Sequence, residues 1–207
     1  MPRPTLATID LAALRHNLAV ARRHAGARRV WAVVKANAYG HGLTRALRAF
    51  AAADGIALLD LDEAARARQA GWTRPILLLE GFFAPADLAV VDELRLTTAV
   101  HDAEQVDMLA RHAPRAPIDV YVKVNTGMNR LGFAPGQAPR VVERLRAASG
   151  VRVAALMTHF ANADRSDSGA GPASVDEQLA RFAVACAGWS GPRSLANSAA
   201  LLLHPRA

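Results

Sequence analysis

The chain has 207 residues, 52% hydrophobic, 21% charged and 5% aromatic, with a formal net charge of +7. That length suits one sizeable core, and the composition is globular rather than disordered. No apolar run approaches the roughly 18 residues that suggest a membrane span. A sole cysteine, Cys186, excludes an internal disulfide and makes a cytoplasmic location the expectation.

The stretch Met1-Pro2-Arg3-Pro4-Thr5 leads into a helical pattern and does not read as a signal peptide. Asp10 opens a helix over 11 to about 24, with Leu11, Leu14, Leu18 and Ala21 on one stripe. A buried strand is predicted at 29–34, followed by a tight turn permitted by Gly40 and Gly42. A helix at about 42–53 comes next. Strands at 56–59, 75–79, 96–100, 118–122, 151–157 and 194–196 then alternate with helices at about 62–70, 85–93, 102–112, 138–149 and 176–188. The strands are apolar on both faces, as in a parallel sheet covered by helices. Asp62, Asp102 and Asp176 stand at or near helix starts, where caps stand. The segment 162–175, rich in Ser, Asp, Gly and Pro, reads as a mobile surface loop.

Seven strand–helix alternations without a reversal predict an α/β fold, a TIM-type (β/α) barrel that is incomplete at seven of eight units. An open doubly wound sheet is the rival, but no glycine-rich dinucleotide turn follows the first strand. The arginines behind the basic charge are scattered along helical stretches, and aromatic residues are too few to stack bases. Nucleic acid is therefore not an expected partner.

In such a barrel the chemistry sits at the C-terminal ends of the strands. Lys35 ends the first strand, in a low-dielectric setting that favours a neutral, nucleophilic amine. A lysine snorkelling from the rim is an equal reading. Arg130, on the loop after the fifth strand, suits a carboxylate or an oxygen anion, or simply enters a helix. His159, after the sixth strand, suits acid–base work or the orienting of another group, or a satisfied rim position. Asn197 and Ser198 follow the seventh strand, where this fold favours phosphate; a plain helix cap is the other reading. The four groups together at one end favour function. Composition adds a further sign. Of 25 basic residues only Lys35 and Lys123 are lysine, and arginine cannot replace lysine where an amine must react.

The stretch Ala32-Val33-Val34-Lys35-Ala36-Asn37-Ala38-Tyr39-Gly40-His41-Gly42 resembles the cofactor-lysine signature of the alanine racemase family. So do, for other segments of that family, Asn125-Thr126-Gly127-Met128-Asn129-Arg130-Leu131-Gly132, Met157-Thr158-His159-Phe160-Ala161, Asn197-Ser198-Ala199-Ala200 and the opening Ile9-Asp10-Leu11-Ala12-Ala13-Leu14-Arg15-His16-Asn17-Leu18. The resemblance runs in family order over almost the whole chain. It implies pyridoxal 5'-phosphate as cofactor and the interconversion of L- and D-alanine, which supplies peptidoglycan precursors. It implies that Lys35 carries the cofactor and is one of two acid–base residues. Tyr39 and Ser198 would contact the phosphate, with Asn197 beside them. Arg130 would meet the phenolic oxygen or the substrate carboxylate, and His159 would lie beside the ring. Lys123 matches a position that some members carbamylate, which would hold Arg130 in place. No metal is implied.

The family forms homodimers, and its second base is a tyrosine of a C-terminal β domain contributed by the other subunit. Tyr39 and Tyr121, the two tyrosines here, do not match that residue. The resulting domain reading is an N-terminal strand within 1–9, which the family pairs with the C-terminal β domain, and a truncated cofactor-binding barrel over 10–207. That domain is absent from 1–207, so the chain alone is expected to racemise poorly or not at all. The alternative is a non-catalytic pyridoxal-phosphate-binding homeostasis protein, whose length fits better and whose motifs fit less well. A fold-related decarboxylase is a third reading.

Overall fold

The computed structural model describes residues 3–165 and 174–207. In chain order these form α1 (Leu11–Ala25), β1 (Trp31–Val33), α2 (Lys35–Tyr39), α3 (Leu43–Ala49), β2 (Gly55–Leu58), α4 (Leu61–Gln69), β3 (Ile76–Leu78), α5 (Asp87–Glu93), β4 (Thr97–Val100), α6 (Ala103–Arg111), β5 (Ile118–Lys123), α7 (Ala138–Ala147), β6 (Val151–Met157), α8 (Val175–Ala185), β7 (Arg193–Ser194) and α9 (Ser198–Leu203). All seven strands lie in one sheet, in sequence order, and every neighbouring pair is parallel.

The sheet is curled, and two contacts show it. Four strand spacings would separate β1 from β5 by about 19 Å in a flat sheet. Instead, the rings of Trp31 on β1 and Tyr121 on β5 meet edge to face with centroids 6.1 Å apart. On the outside, α1 packs against both α3 and α9, so the helical layer runs from the first strand round to the last. This is the incomplete TIM-type barrel predicted from the alternation. Among the described residues β1 pairs only with β2, and β7 only with β6.

The strands form because both faces are covered. Gly55, Ile56, Ala57 and Leu58 of β2 are all buried, as are the three residues of β3. Ile56, Leu58, Ile76, Leu78, Val120 and Val122 carry the main core beneath the helices. Small residues such as Gly55 and Ala57 leave room inside the curl, where Trp31 and Tyr121 fill the base.

The caps differ in part from the sequence reading. Asp10 caps α1 by accepting from the backbone N–H groups of Ala12 and Ala13, and Asp102 caps α6 through Gln105 N–H. The cap of α4 is Asp60, with Asp62 in the first turn. The cap of α8 is Ser174, which shares a reciprocal box with Glu177, while Asp176 lies inside the helix. In each case the carboxylate read as a cap stands two residues past the cap and favours the positive helix end through its charge. The loop expected at 162–175 lies largely outside the described residues. Residues 3–10 are in neither helix nor strand, and Leu6 is exposed, so the stretch expected as a strand within 1–9 has no ladder partner among the described residues.

A Cβ added at Gly55 would come within 2.2 Å of the Trp31 ring and 3.0 Å of the Pro75 carbonyl oxygen. The ring is itself held by Tyr121, so it has little freedom to yield. Gly55→Ala is therefore expected to cost about 1–3 kcal/mol of stability. Urea unfolding should show a lower midpoint with an unchanged slope.

Candidate active site

Side chains on a strand alternate between faces, and paired residues in register share a face. Trp31 points into the curl, because it meets Tyr121 there. Val33 and Lys35 follow on the same side at the two-residue period. Tyr121 points inward, so Lys123 does as well, and Lys123 pairs with Met157 of β6. Two residues beyond Met157 stands His159. Lys123 ends β5 on the inner face, and Lys35 and His159 stand two residues past the ends of β1 and β6, so the three come to the C-terminal mouth of the barrel.

The electrostatics agree. Burial holds the Lys123 amine below the ordinary lysine value, and the charges of Arg130 and Lys35 push it down further, while Glu80 opposes them. Burial likewise holds His159 below 6.5, helped by Arg130, Lys123 and Lys35. The imidazole is therefore mainly neutral at neutral pH, with one nitrogen free to accept. Lys35, Lys123, Arg130 and His159 form one cluster in which cationic or potentially cationic groups outnumber carboxylates.

The segment after β1 has an unusual backbone. Ala36, Asn37, Ala38 and Tyr39 all have φ between 51 and 55°. They make one turn of left-handed helix, which costs a residue with a Cβ roughly 1–2 kcal/mol each. Gly40 and Gly42 continue with φ of 83 and 94°, a region that suits glycine. Local bonds hold the turn. The Asn37 side-chain oxygen accepts from Leu43 N–H at 2.8 Å, and His41 Nδ1 lies 2.9 Å from the Ala38 carbonyl. The Asn37 N–H donates to Glu63 Oε1 at 2.5 Å. The turn sets the Lys35 Nζ 6.0 Å from the Tyr39 ring centroid. Tyr39 itself is mostly exposed.

Arg130 sits on a loop built around Asn125, whose side-chain oxygen accepts from the N–H groups of Gly127 and Asn129. The loop turns back so closely that a Cβ at Gly132 would lie 2.8 Å from Asn125 N. Beneath it the buried Thr126 and Thr158 hydroxyls are 2.8 Å apart, and Thr158 also donates to the Val124 carbonyl. This pair ties the ends of β5 and β6 below Arg130 and His159. Asn197 is the N-cap of α9: its side-chain oxygen accepts from Ala200 N–H, and its amide donates to the Phe160 carbonyl. The cap reading therefore falls on Asn197, and Ser198 begins the helix with its side chain exposed.

The predicted residues fall on one rim. Mutual electrostatics join Lys35, Lys123, Arg130 and His159. Tyr39 adjoins Lys35, and Asn197 is bonded to the residue after His159. Sequence reasoning missed Glu63, Glu80, Thr126 and Thr158. Of these, Glu80 carried a positional signal, because it stands two residues past the C-terminal end of β3.

Fold and site together define a β/α-barrel protein whose mouth gathers two amines, a guanidinium and a neutral imidazole at the ends of β1, β5 and β6. Residues 9–207 match the family model described as alanine racemase, N-terminal domain, and the chain belongs to that family. It is 55% identical to an alanine racemase of Ralstonia nicotianae over 207 residues, which is 100% of this chain and 54% of that protein. It is 54% identical to one from Janthinobacterium over 100% of this chain and 57% of the relative. Among solved structures, the biosynthetic alanine racemase of Pseudomonas aeruginosa matches with a TM-score of 0.91 and 41% identity, over 99% of this chain and 56% of that one. The chain spans about half the length of these relatives.

Removing a cation from this cluster has a definite sign. As pH falls through 6.5, the unfolded chain takes up the His159 proton before the folded one does, so stability is lost. Arg130→Gln should bring the His159 midpoint closer to the ordinary value and reduce that acid loss. Titration of the His159 ring proton by NMR, with urea midpoints at about pH 7 and about pH 5, measures both effects. An unmoved or lower His159 midpoint would contradict the shared cluster.

Proposed function

We propose that this chain holds pyridoxal 5'-phosphate on Lys35 and serves the racemisation of alanine. The observation that carries the reading is the convergence of Lys35, Lys123, Arg130 and His159, with too few carboxylates to balance them. Such a mouth favours an anion that brings its own negative charge. A phosphorylated aldehyde would fit such a mouth: the Lys35 amine would condense with the carbonyl, releasing water, and the surrounding cations would face the phosphate. When bound, the cofactor supplies an electron sink that makes a proton on the α-carbon of an amino acid acidic.

The residues of the chain divide the remaining work. Lys35 would hold the cofactor covalently, and once the substrate's amino group had displaced it, its freed amine would take or return the α-proton on one face of the substrate. Its strained turn fixes that direction of approach. Tyr39 and Ser198 would contact the phosphate, with Asn197 beside them. Arg130 meets the phenolic oxygen or the substrate carboxylate, which its planar donors suit. His159, kept neutral, accepts or donates one hydrogen bond beside the ring without adding a charge. Lys123 is deprotonated more readily than an exposed lysine, as carbamylation would require, and so modified would hold Arg130. No metal takes part in this scheme.

Racemisation needs a base on each face. Tyr121 packs on Trp31 at the base of the barrel, and burial raises its phenol above the usual value. Tyr39 stands beside Lys35 on the same turn. The family resemblance implies that the second base comes from the other subunit of a homodimer, on a C-terminal β domain against which residues 4–9 would form a strand. Residues 1–207 alone would racemise poorly or not at all. The partner is a small amino acid rather than nucleic acid or a bilayer, and the setting is cytoplasmic. Among the described residues no helix is long and apolar enough to cross a membrane.

The test uses the scarcity of lysine. Pyridoxal phosphate added to the chain should give a visible band, and borohydride reduction followed by peptide mapping should place the label on Lys35. Lys35→Ala should abolish the band. A label on Lys123, or none, would refute the reading. A tight complex that still fails to racemise alanine when the C-terminal domain is supplied would point to a cofactor carrier instead.

A further inference from the structure

Glu63 is almost fully buried, 4% exposed, on the first turn of α4. Its position fits a familiar pattern. Asp60 caps α4 by accepting from Glu63 N–H at 2.7 Å. In a capping box the residue three places after the cap returns its side chain to the cap's own N–H. Glu63 does not. Its Oε1 reaches across to Asn37 N–H, 26 residues earlier, at 2.5 Å. Its Oε2 is buried without a hydrogen-bond partner. Arg66 lies 3.5 Å from Oε1, largely exposed. A carboxylate buried with one oxygen unsatisfied is unfavourable and persists only where it does other work.

The bond that replaces the box lands in the middle of the left-handed turn 36–39. Each of those residues has a Cβ and prefers a right-handed or extended backbone. Gly40 and Gly42 hold it only from within the same segment, by donating to the Ala36 and Asn37 carbonyl oxygens at 3.1 and 2.9 Å. Asn37 is fixed from three sides, by its side chain to Leu43, by its carbonyl oxygen to Gly42 N–H and by its own N–H to Glu63. Only the last contact ties the turn to a different β/α unit.

The geometry points to Glu63 as a positioning residue: its carboxylate, diverted from the start of α4, pins the left-handed turn that aims Lys35 and Tyr39 into the barrel mouth. This rests on the proposed function only in the task given to Lys35. The pinning itself is a property of the chain without cofactor.

Two readouts on the 207-residue chain separate the parts. Hydrogen exchange at the Asn37 amide reports the turn, and the rate at which pyridoxal phosphate develops its visible band reports the aim of Lys35. In Glu63→Ala, losing a charge-assisted bond should speed exchange at Asn37 by about tenfold and slow band formation by about as much. Glu63→Gln keeps an acceptor oxygen at the same reach and should restore both to within about threefold. Asp60→Ala weakens the start of α4 without touching Asn37. It should lower thermal stability and leave the band rate at the parent value, which a merely structural role for Glu63 would not predict. If Glu63→Ala does not fold, Glu63→Asp, with the carboxylate withdrawn by one methylene, replaces it under the same expectations. Unchanged exchange at Asn37, an unchanged band rate, or an equal slowing by Asp60→Ala would each overturn the inference. If the parent forms no band, the Lys35 reading fails, and exchange at Asn37 still decides whether Glu63 pins the turn.

Discussion

The two-residue period of a parallel ladder is the constraint on which the rest of this site depends. Once Trp31 and Tyr121 meet inside the curl, the direction of every other side chain on their strands is fixed. Lys35 lies four residues past Trp31, Lys123 two past Tyr121, and His159 two past the register partner of Lys123. A slip of one residue in any of these strands would send its functional group out among the helices. The aromatic pair at the base and the polar cluster at the mouth are therefore one construction, and packing below sets chemistry above.

That construction has an electrostatic consequence. Bringing two amines, a guanidinium and an imidazole to one mouth is unfavourable without negative charge. The site responds in two ways: Lys123 and His159 are pushed towards their neutral forms, and Glu80 offsets part of the rest. Neutral forms bind and orient without adding repulsion. The positive charge that remains at the mouth favours a negatively charged occupant. The push towards a neutral form also fits the use of lysine at position 123 in a chain that otherwise favours arginine, because a guanidinium there would stay charged.

Much of this was readable in the amino acids. The strands were visible because runs such as Ile56–Leu59 and Ile76–Leu79 are apolar on both faces, as in a doubly covered sheet. Lys35, Arg130, His159 and Asn197 were visible because each comes after such a run. The left-handed turn was not. Ala36, Asn37, Ala38 and Tyr39 carry ordinary side chains, and of these only Asn37 is of a type that visits a positive φ with any ease. The turn is held by bonds within 34–43 together with the longer-range bond from Asn37 to Glu63. Glu63 was hidden for the converse reason: three residues after Asp60 it fits a capping box, and only the fold shows its carboxylate directed elsewhere. The short β7 was placed about a residue late, because Arg193–Ser194 is polar and the apolar residues come after it.

The two lysines also differ in what they can do, and the difference arises from where each leaves its strand. Lys123 is still within β5, nearly enclosed, with Arg130 and Glu80 as electrostatic neighbours. Its amine is deprotonated readily but has little access to a bulky aldehyde. Lys35 stands just past the end of β1, half-buried, at the entrance to a turn held in a conformation its residues do not prefer. A reactive amine must be reachable and must point one way. An ordinary loop would give reach without direction, and a strand interior gives direction without reach. The left-handed turn after β1 supplies both, and the contacts that hold it act on the chemistry although they do not touch the reacting atoms.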